Sequence, residues 1–153
     1  MAETILSRKK VIVHLNQLLE KKMQGAIDQI ASLKESRESD GKSSAGDKYE
    51  TGVEMIQQEI ENAQRQLDQY KRQQTELQRA QAQNSSEVIS FGNLVTTTKG
   101  SYFLAIGIGE IKLDDTKCYC ISTESPLGAA FLGKKAKDKV VFNNNEHTIL
   151  DIA

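Results

Sequence analysis

Val53, Ile56, Ile60, Ala63, Leu67, Tyr70, Gln74 and Leu77 follow one another at steps of 3-4-3-4-3-4-3. A seam of that period, held for more than three heptads, is a helix that needs a helical partner along its length. No Pro and a single Gly, Gly52 near its start, interrupt the run from Asp47 to Gln83. Such a helix would extend roughly 50 Å. A partner precedes it in the chain. Leu15, Leu18, Met23, Ile27, Ile30 and Leu33 recur at three-, four- and five-residue steps, with Gln, Lys and Glu between them. The connecting stretch, SDGKSSAGDKYE at 39–50, carries Gly41, Ser43, Ser44 and Gly46 as turn and cap residues. The spacing predicts an antiparallel helical hairpin with its tip at about 39–47. The same seam could also serve a second copy of the chain.

Bulk composition agrees with long solvated helices. Charged residues are 27% and hydrophobic residues 38%, aromatics only 5%, and Trp is absent. Helices of this kind bury a stripe and not an interior. The formal net charge of -1 speaks against a protein that coats nucleic acid through its own basic surface. Without an apolar run long enough to span a bilayer or a signal-like N-terminus, a cytoplasmic location with no membrane partner is expected. Cys118 and Cys120, spaced C-x-C, share one face of a strand and are expected as small buried hydrophobes in a reducing compartment.

Around residue 85 the character changes. EVISFGNLVTTTKGSYFLAIG, KCYCIS and KVVFNNNEHTILDIA are β-branched and aromatic runs punctuated by Gly, Asn and Asp. FNNNEHTIL reads as two short strands about an Asn-rich turn. SPLGAAFLGK is apolar at helical spacing and follows Ser-Pro, a helix-start signal. Its Leu127, Ala130, Phe131 and Leu132 are expected in the core. The expected class is α+β: a helical hairpin over 1–84, then a small β-rich domain with one short helix over 85–153.

Self-contained catalysis has little to work with. G-x-S-x-G, P-loop, H-E-x-x-H and dinucleotide fingerprints are all missing. His14 and His147 read as ordinary surface or packing residues. Two features stand above this background. One is the inter-helix loop, where Asp40 and Asp47 lie among small residues flanked by Glu38 and Glu50. The other is ISTESPLGAAFLGKKAKDKVVF at 121–142.

That second segment resembles the C-terminal domain of the Gre family of bacterial transcription elongation factors. The family pattern is approximately I-S-x-x-S-P-(I/L)-G-x-A-L-(L/I)-G-K-x-x-G-D-x-V. Ile121, Ser122, Ser125, Pro126, Leu127, Gly128, Ala130, Leu132, Gly133, Lys134, Asp138 and Val140 match it in place. Phe131 stands where Leu is usual and Lys137 where Gly is usual. The family combines an N-terminal coiled-coil hairpin with an FKBP-like β domain. The resemblance implies that the β domain docks on RNA polymerase, with Ser125, Pro126, Gly128, Gly133 and Lys134 as contact candidates. It implies that the hairpin enters the secondary channel, meeting RNA and DNA only within the elongation complex.

Family tips read G-D-L-x-E-N-A-E-Y, and their acids help the polymerase hold Mg²⁺ and cleave backtracked RNA. Aligned on Tyr49, this chain reads GKSSAGDKY, with Lys42 at the Asp place and Ala45 at the Glu place. Asp40, Asp47 and Glu50 remain as candidate carboxylates, the first two as candidate ligands of a shared Mg²⁺. The resemblance thus implies a monomeric accessory factor with no cofactor of its own, acting as a channel-occupying regulator or, by a rearranged tip, as a cleavage stimulator. The other readings are a coiled-coil and FKBP-like interaction module unrelated to cleavage, or a prolyl isomerase whose pocket would have to be assembled from Phe91, Tyr102, Phe103, Tyr119, Phe131 and Phe142.

Overall fold

Two long helices lead the chain, as the seam requires: α1 (Arg8–Ser43) and α2 (Asp47–Gln81). The structure, a computed structural model, describes residues 6–43, 47–84 and 86–153, with the side chains of 40–50 outside that description. By packing, the chain forms two compact units. One is Gln17–Gln74, and the other joins the helical turns up to Asn16 with Thr75–Ala153.

In the Gln17–Gln74 unit the helices run antiparallel. Arg37 on α1 donates from Nη1 to Oε1 of Gln57 on α2, whereas Lys22 lies 5.7 Å from the ring centroid of Tyr70. Residue numbers therefore rise along one helix as they fall along the other. Ala26, Ile30, Ile60, Ala63 and Leu67 form the buried seam, flanked by Met23, Leu33 and Ile56. The α2 spacing read from sequence is the packed one. On α1 Leu15, Met23, Ile30 and Leu33 pack as expected, and the packed face departs from the expected one at two places. Leu19 is fully buried where the spacing predicts Leu18, and Ala26 is buried while Ile27 stands 44% exposed. Adjacent helical residues point 100° apart, so phase and not side-chain size decides which one faces the partner. Small Ala26 and Ala63 stand in the seam among the larger Ile30, Ile60 and Leu67.

The second unit is built on a six-stranded sheet of order β3-β4-β2-β1-β6-β5. Its strands are β1 (Leu94–Thr97), β2 (Gly100–Leu104), β3 (Gly109–Leu113), β4 (Thr116–Ile121), β5 (Lys139–Phe142) and β6 (Asn145–Ile152). Neighbours pair antiparallel except β2 and β4, which are parallel. A short helix, α3 (Pro126–Phe131), lies between β4 and β5 in sequence. The Asn-rich turn is a two-residue hairpin: Phe142 pairs with Asn145, and Asn143 and Asn144 hold φ of 49° and 64°. Asn tolerates that left-handed region, which matches the twist of the paired strands.

Strand alternation sorts the sheet into two buried faces. Val95, Tyr102, Leu104, Val140 and Ile149 pack with Ile89 and Phe131 of α3 on one side. By the two-residue period, Phe103, Cys118 and Cys120 turn to the other. Both cysteines are free and buried. Val11, Ile12, Leu15, Leu77 and Ala80, from the helical turns of this same unit, are buried as well. Arg8 ties these parts together. Its guanidinium donates to the carbonyls of Ala80, Gln83 (3.2 Å) and Gly92 (2.7 Å), at the end of α2 and the entry to β1. A planar fork suits several carbonyls at once in a way a lysine cannot.

Candidate interaction site around α3

Segment 121–142 shows why each of its residue types stands where it does. The chain leaves β4 at Ile121 and turns sharply. The Ser122 carbonyl accepts the backbone N–H of Ser125 at 3.1 Å and its hydroxyl at 2.6 Å. Ser125 Oγ in turn accepts from Gly128 N at 3.1 Å, which makes Ser125 the N-cap of α3. Pro126 follows as the first helical residue, where its missing N–H costs nothing. Gly128 closes the arrangement. A Cβ there would stand 2.1 Å from the Ser122 oxygen, so the turn and the helix can only be this close if the side chain is hydrogen.

After Phe131 the helix ends. Leu132 caps it and is 39% exposed, although its apolar spacing predicts a core position. Gly133, with φ of 81°, reverses the chain. It then forms a reciprocal pair with residue 89: Gly133 N–H donates to Ile89 O at 2.9 Å, and Ile89 N–H to Lys134 O at 2.8 Å. Lys135 N–H donates to the Asp138 carboxylate at 2.8 Å. Of the five contact candidates, Ser125, Gly128 and Gly133 thus have defined structural tasks. Pro126, at the start of α3, and Lys134, past its end, are exposed.

Asp40, Asp47 and Glu50, the candidate tip carboxylates and Mg²⁺ ligands, lie outside the described side chains, and so does Lys42. Nothing geometric attaches to them.

Sequence reasoning leaves the aromatic residues open, and the structure groups some of them. Tyr102 stacks on Tyr119 with centroids 5.5 Å apart and meets Phe131 at 5.2 Å. Phe91 instead lies beneath the Arg79 guanidinium at 5.1 Å, and Phe103 belongs to the cysteine face. The grouped rings fill the space between sheet and α3, with Phe131 fully buried. Burial, reinforced by the neighbouring Tyr119 phenol, holds the Tyr102 hydroxyl above its ordinary pKa.

Two residues take surroundings that only the tertiary structure supplies. Asn93 is buried and bonded at both ends of its amide: its carbonyl accepts from Ser90 N (2.7 Å) and Ser90 Oγ (3.1 Å), and its NH2 donates to Ala153 O (3.0 Å). The signal is the S-x-x-N spacing ahead of a strand, across which the Asn side chain reaches back three residues to the Ser backbone and hydroxyl. His147 is the other. It is only 5% exposed, its ring set edge-on to Tyr102 and Phe131. No local pattern marks it, because its position on β6 alternates inward like any apolar residue.

No protein-family model matches the chain, and no curated protein is similar to it in sequence. Among the described residues, no helix is long and apolar enough to cross a membrane.

Proposed function

We propose that the protein is an RNA polymerase-binding factor of the Gre type, in which the hairpin occupies the secondary channel and the β-rich unit docks at its rim. The observation that carries this reading is the joining, in one chain, of an antiparallel two-helix seam with a sheet unit bearing the Ser125–Pro126–Leu127–Gly128 cap. Occupancy of the seam bears on the competing module reading. Ile60, Ala63 and Leu67 are already buried against Ala26 and Ile30 of the same chain, so the stripe that would have recruited a second coiled-coil strand is in use. The aromatic residues a prolyl site would need are divided: Tyr102 packs on Tyr119 and Phe131, whereas Phe91 lies beneath Arg79.

Within the Gre-type reading we favour a channel-occupying regulator. Lys42 and Ala45 replace the two acids of the family tip, and a cation at the first of these places opposes metal binding nearby. Displacement of a catalytic group by even about 1 Å costs of order a hundredfold in rate. The test is capture of the cognate polymerase by the tagged protein, followed by RNA cleavage on a stalled, backtracked complex with Mg²⁺. Binding without accelerated cleavage supports the proposal. Accelerated cleavage that Asp40→Asn or Asp47→Asn removes would convert it to a stimulator, and no binding would sink the polymerase reading altogether.

A further inference from the structure

Among the described residues, His147 is the buried polar side chain left with an unsatisfied atom. It stands on β6 opposite Val140 of β5, and its Nδ1 has no hydrogen-bond partner. The ring meets Tyr102 of β2 at 5.6 Å and 78° and Phe131 of α3 at 5.7 Å and 79°. Four elements therefore converge on one imidazole: β2, β5, β6 and α3. Nearby, the β1–β2 turn is fixed on β6, with Thr98 N–H donating to Thr148 O and Thr148 N–H to Thr98 Oγ1, both at 3.1 Å. Lys99 belongs to that turn.

The charges around this ring are one-sided. The β1–β2 turn contributes the Lys99 ammonium, which opposes a second positive charge. Tyr102 contributes a phenol that stays neutral, and Tyr119 stands behind it. α3, with the sequence PLGAAF, contributes nothing that titrates. On β5 the nearest charge is Lys139, already paired with Glu146 at 3.5 Å. No carboxylate faces His147 from any of these elements to balance an imidazolium. Adding a proton at Nδ1 would place an unsolvated N–H and a net charge among aromatic rings, and burying an uncompensated charge is costly.

We infer that His147 is an acid-sensitive latch: neutral, it seals α3 onto the sheet through Phe131, and protonated, it leaves the aromatic cluster and frees α3 with its Ser125–Gly128 cap. α3 is the element that yields because it is one short helix held by Phe131, by the partly buried Leu127 and Ala130, by its cap, and past its end by two backbone bonds to Ile89, whereas β2, β5 and β6 share continuous hydrogen-bonded ladders. Short, sparsely packed elements open first. The inference does not depend on which partner the protein binds.

The sign follows from the burial. Desolvation, and then Lys99, hold the imidazole below its ordinary pKa in the fold, so the closed form is fully favoured above the free-imidazole value and loses ground as pH falls below it. With a free histidine titrating near 6.5, the open population at pH 5.5 rises by at most about tenfold over that at pH 7.5.

Hydrogen exchange of the full chain, read by mass spectrometry on peptides covering 122–134 and corrected for the pH dependence of free amides, measures that population. Exchange in this segment should be several-fold faster at pH 5.5 than at pH 7.5, while the α2 seam is unchanged. His147→Phe should abolish the pH response, with His14→Gln as a control that keeps it. Should the Phe variant not fold, the pH titration of the wild-type His147 imidazole resonance gives the answer. An unchanged 122–134 segment across the two pH values, an equal response in His147→Phe, or a His147 resonance that titrates at or above the free-imidazole value would each overturn the latch.

Discussion

Gly128→Ala is the substitution on which local and tertiary reasoning disagree in sign. By helix propensity alone, replacing a helical glycine with alanine stabilises by about 1 kcal/mol. The new Cβ, however, would sit 2.1 Å from the Ser122 carbonyl oxygen, 2.9 Å from Ser125 Oγ and 3.0 Å from the Ser122 carbonyl carbon. Contacts under 3.0 Å are essentially never seen for real Cβ atoms, so α3 and the turn must part by roughly 1 Å. Relief through rotamer change is not open, because the nearest atom is backbone. It is also the acceptor of both Ser125 bonds. Overpacking costs about 1–3 kcal/mol, and loss of the Ser125 cap about 0.5–2 kcal/mol. The steric side wins, leaving a net loss of about 2 kcal/mol. Urea unfolding followed by tyrosine fluorescence, to which Tyr102 and Tyr119 beside α3 contribute, should show the midpoint falling by about 1 M for an m-value near 2 kcal/mol/M. Gly25→Ala is the matched control. Gly25 lies inside α1, and a methyl added there would meet nothing within 4 Å, so propensity acts unopposed and stability should rise by about 0.5–1 kcal/mol. A Gly128→Ala protein as stable as wild type, beside a stabilised Gly25→Ala, would refute the claim that the turn depends on the missing side chain.

Arg8→Ala should lower stability by about 2 kcal/mol, since three carbonyls lose a charged donor, and Arg8→Lys should recover only part of it for want of the fork; urea midpoints check both. Cys118 and Cys120 should resist an alkylating reagent in the native protein by more than about a hundredfold relative to the urea-unfolded chain, because both are buried and react only through opening. The adjacent Cys118 thiol and burial act together at Cys120 and push its pKa well upward, so it should also be the slower of the two at alkaline pH.

Where a residue's role depends on its immediate neighbours, the chain can be read directly. The heptad steps of α2, the Ser125–Pro126 helix start and the Asn143–Asn144 turn all come through, because backbone geometry within four residues settles them. The candidate site is half legible on the same grounds. Its positions are marked by the 121–142 pattern, but that pattern reads Ser125, Gly128 and Gly133 as contact residues when their first tasks are a cap, a close approach and a chain reversal. Proximity of Ser122 O to the empty Cβ site of Gly128 is a three-dimensional fact that a one-letter G does not carry.

Helix periodicity, turn chemistry and caps are thus properties of this sequence by itself, since each is decided by steric and hydrogen-bonding preferences along a few consecutive bonds. Tertiary structure alone chose Ala26 over Ile27 for the seam, brought Arg8 to carbonyls seventy and more residues away, and closed aromatic rings from β2 and α3 around His147. Those outcomes follow from which surfaces lose their water together, and that is fixed only when distant segments meet.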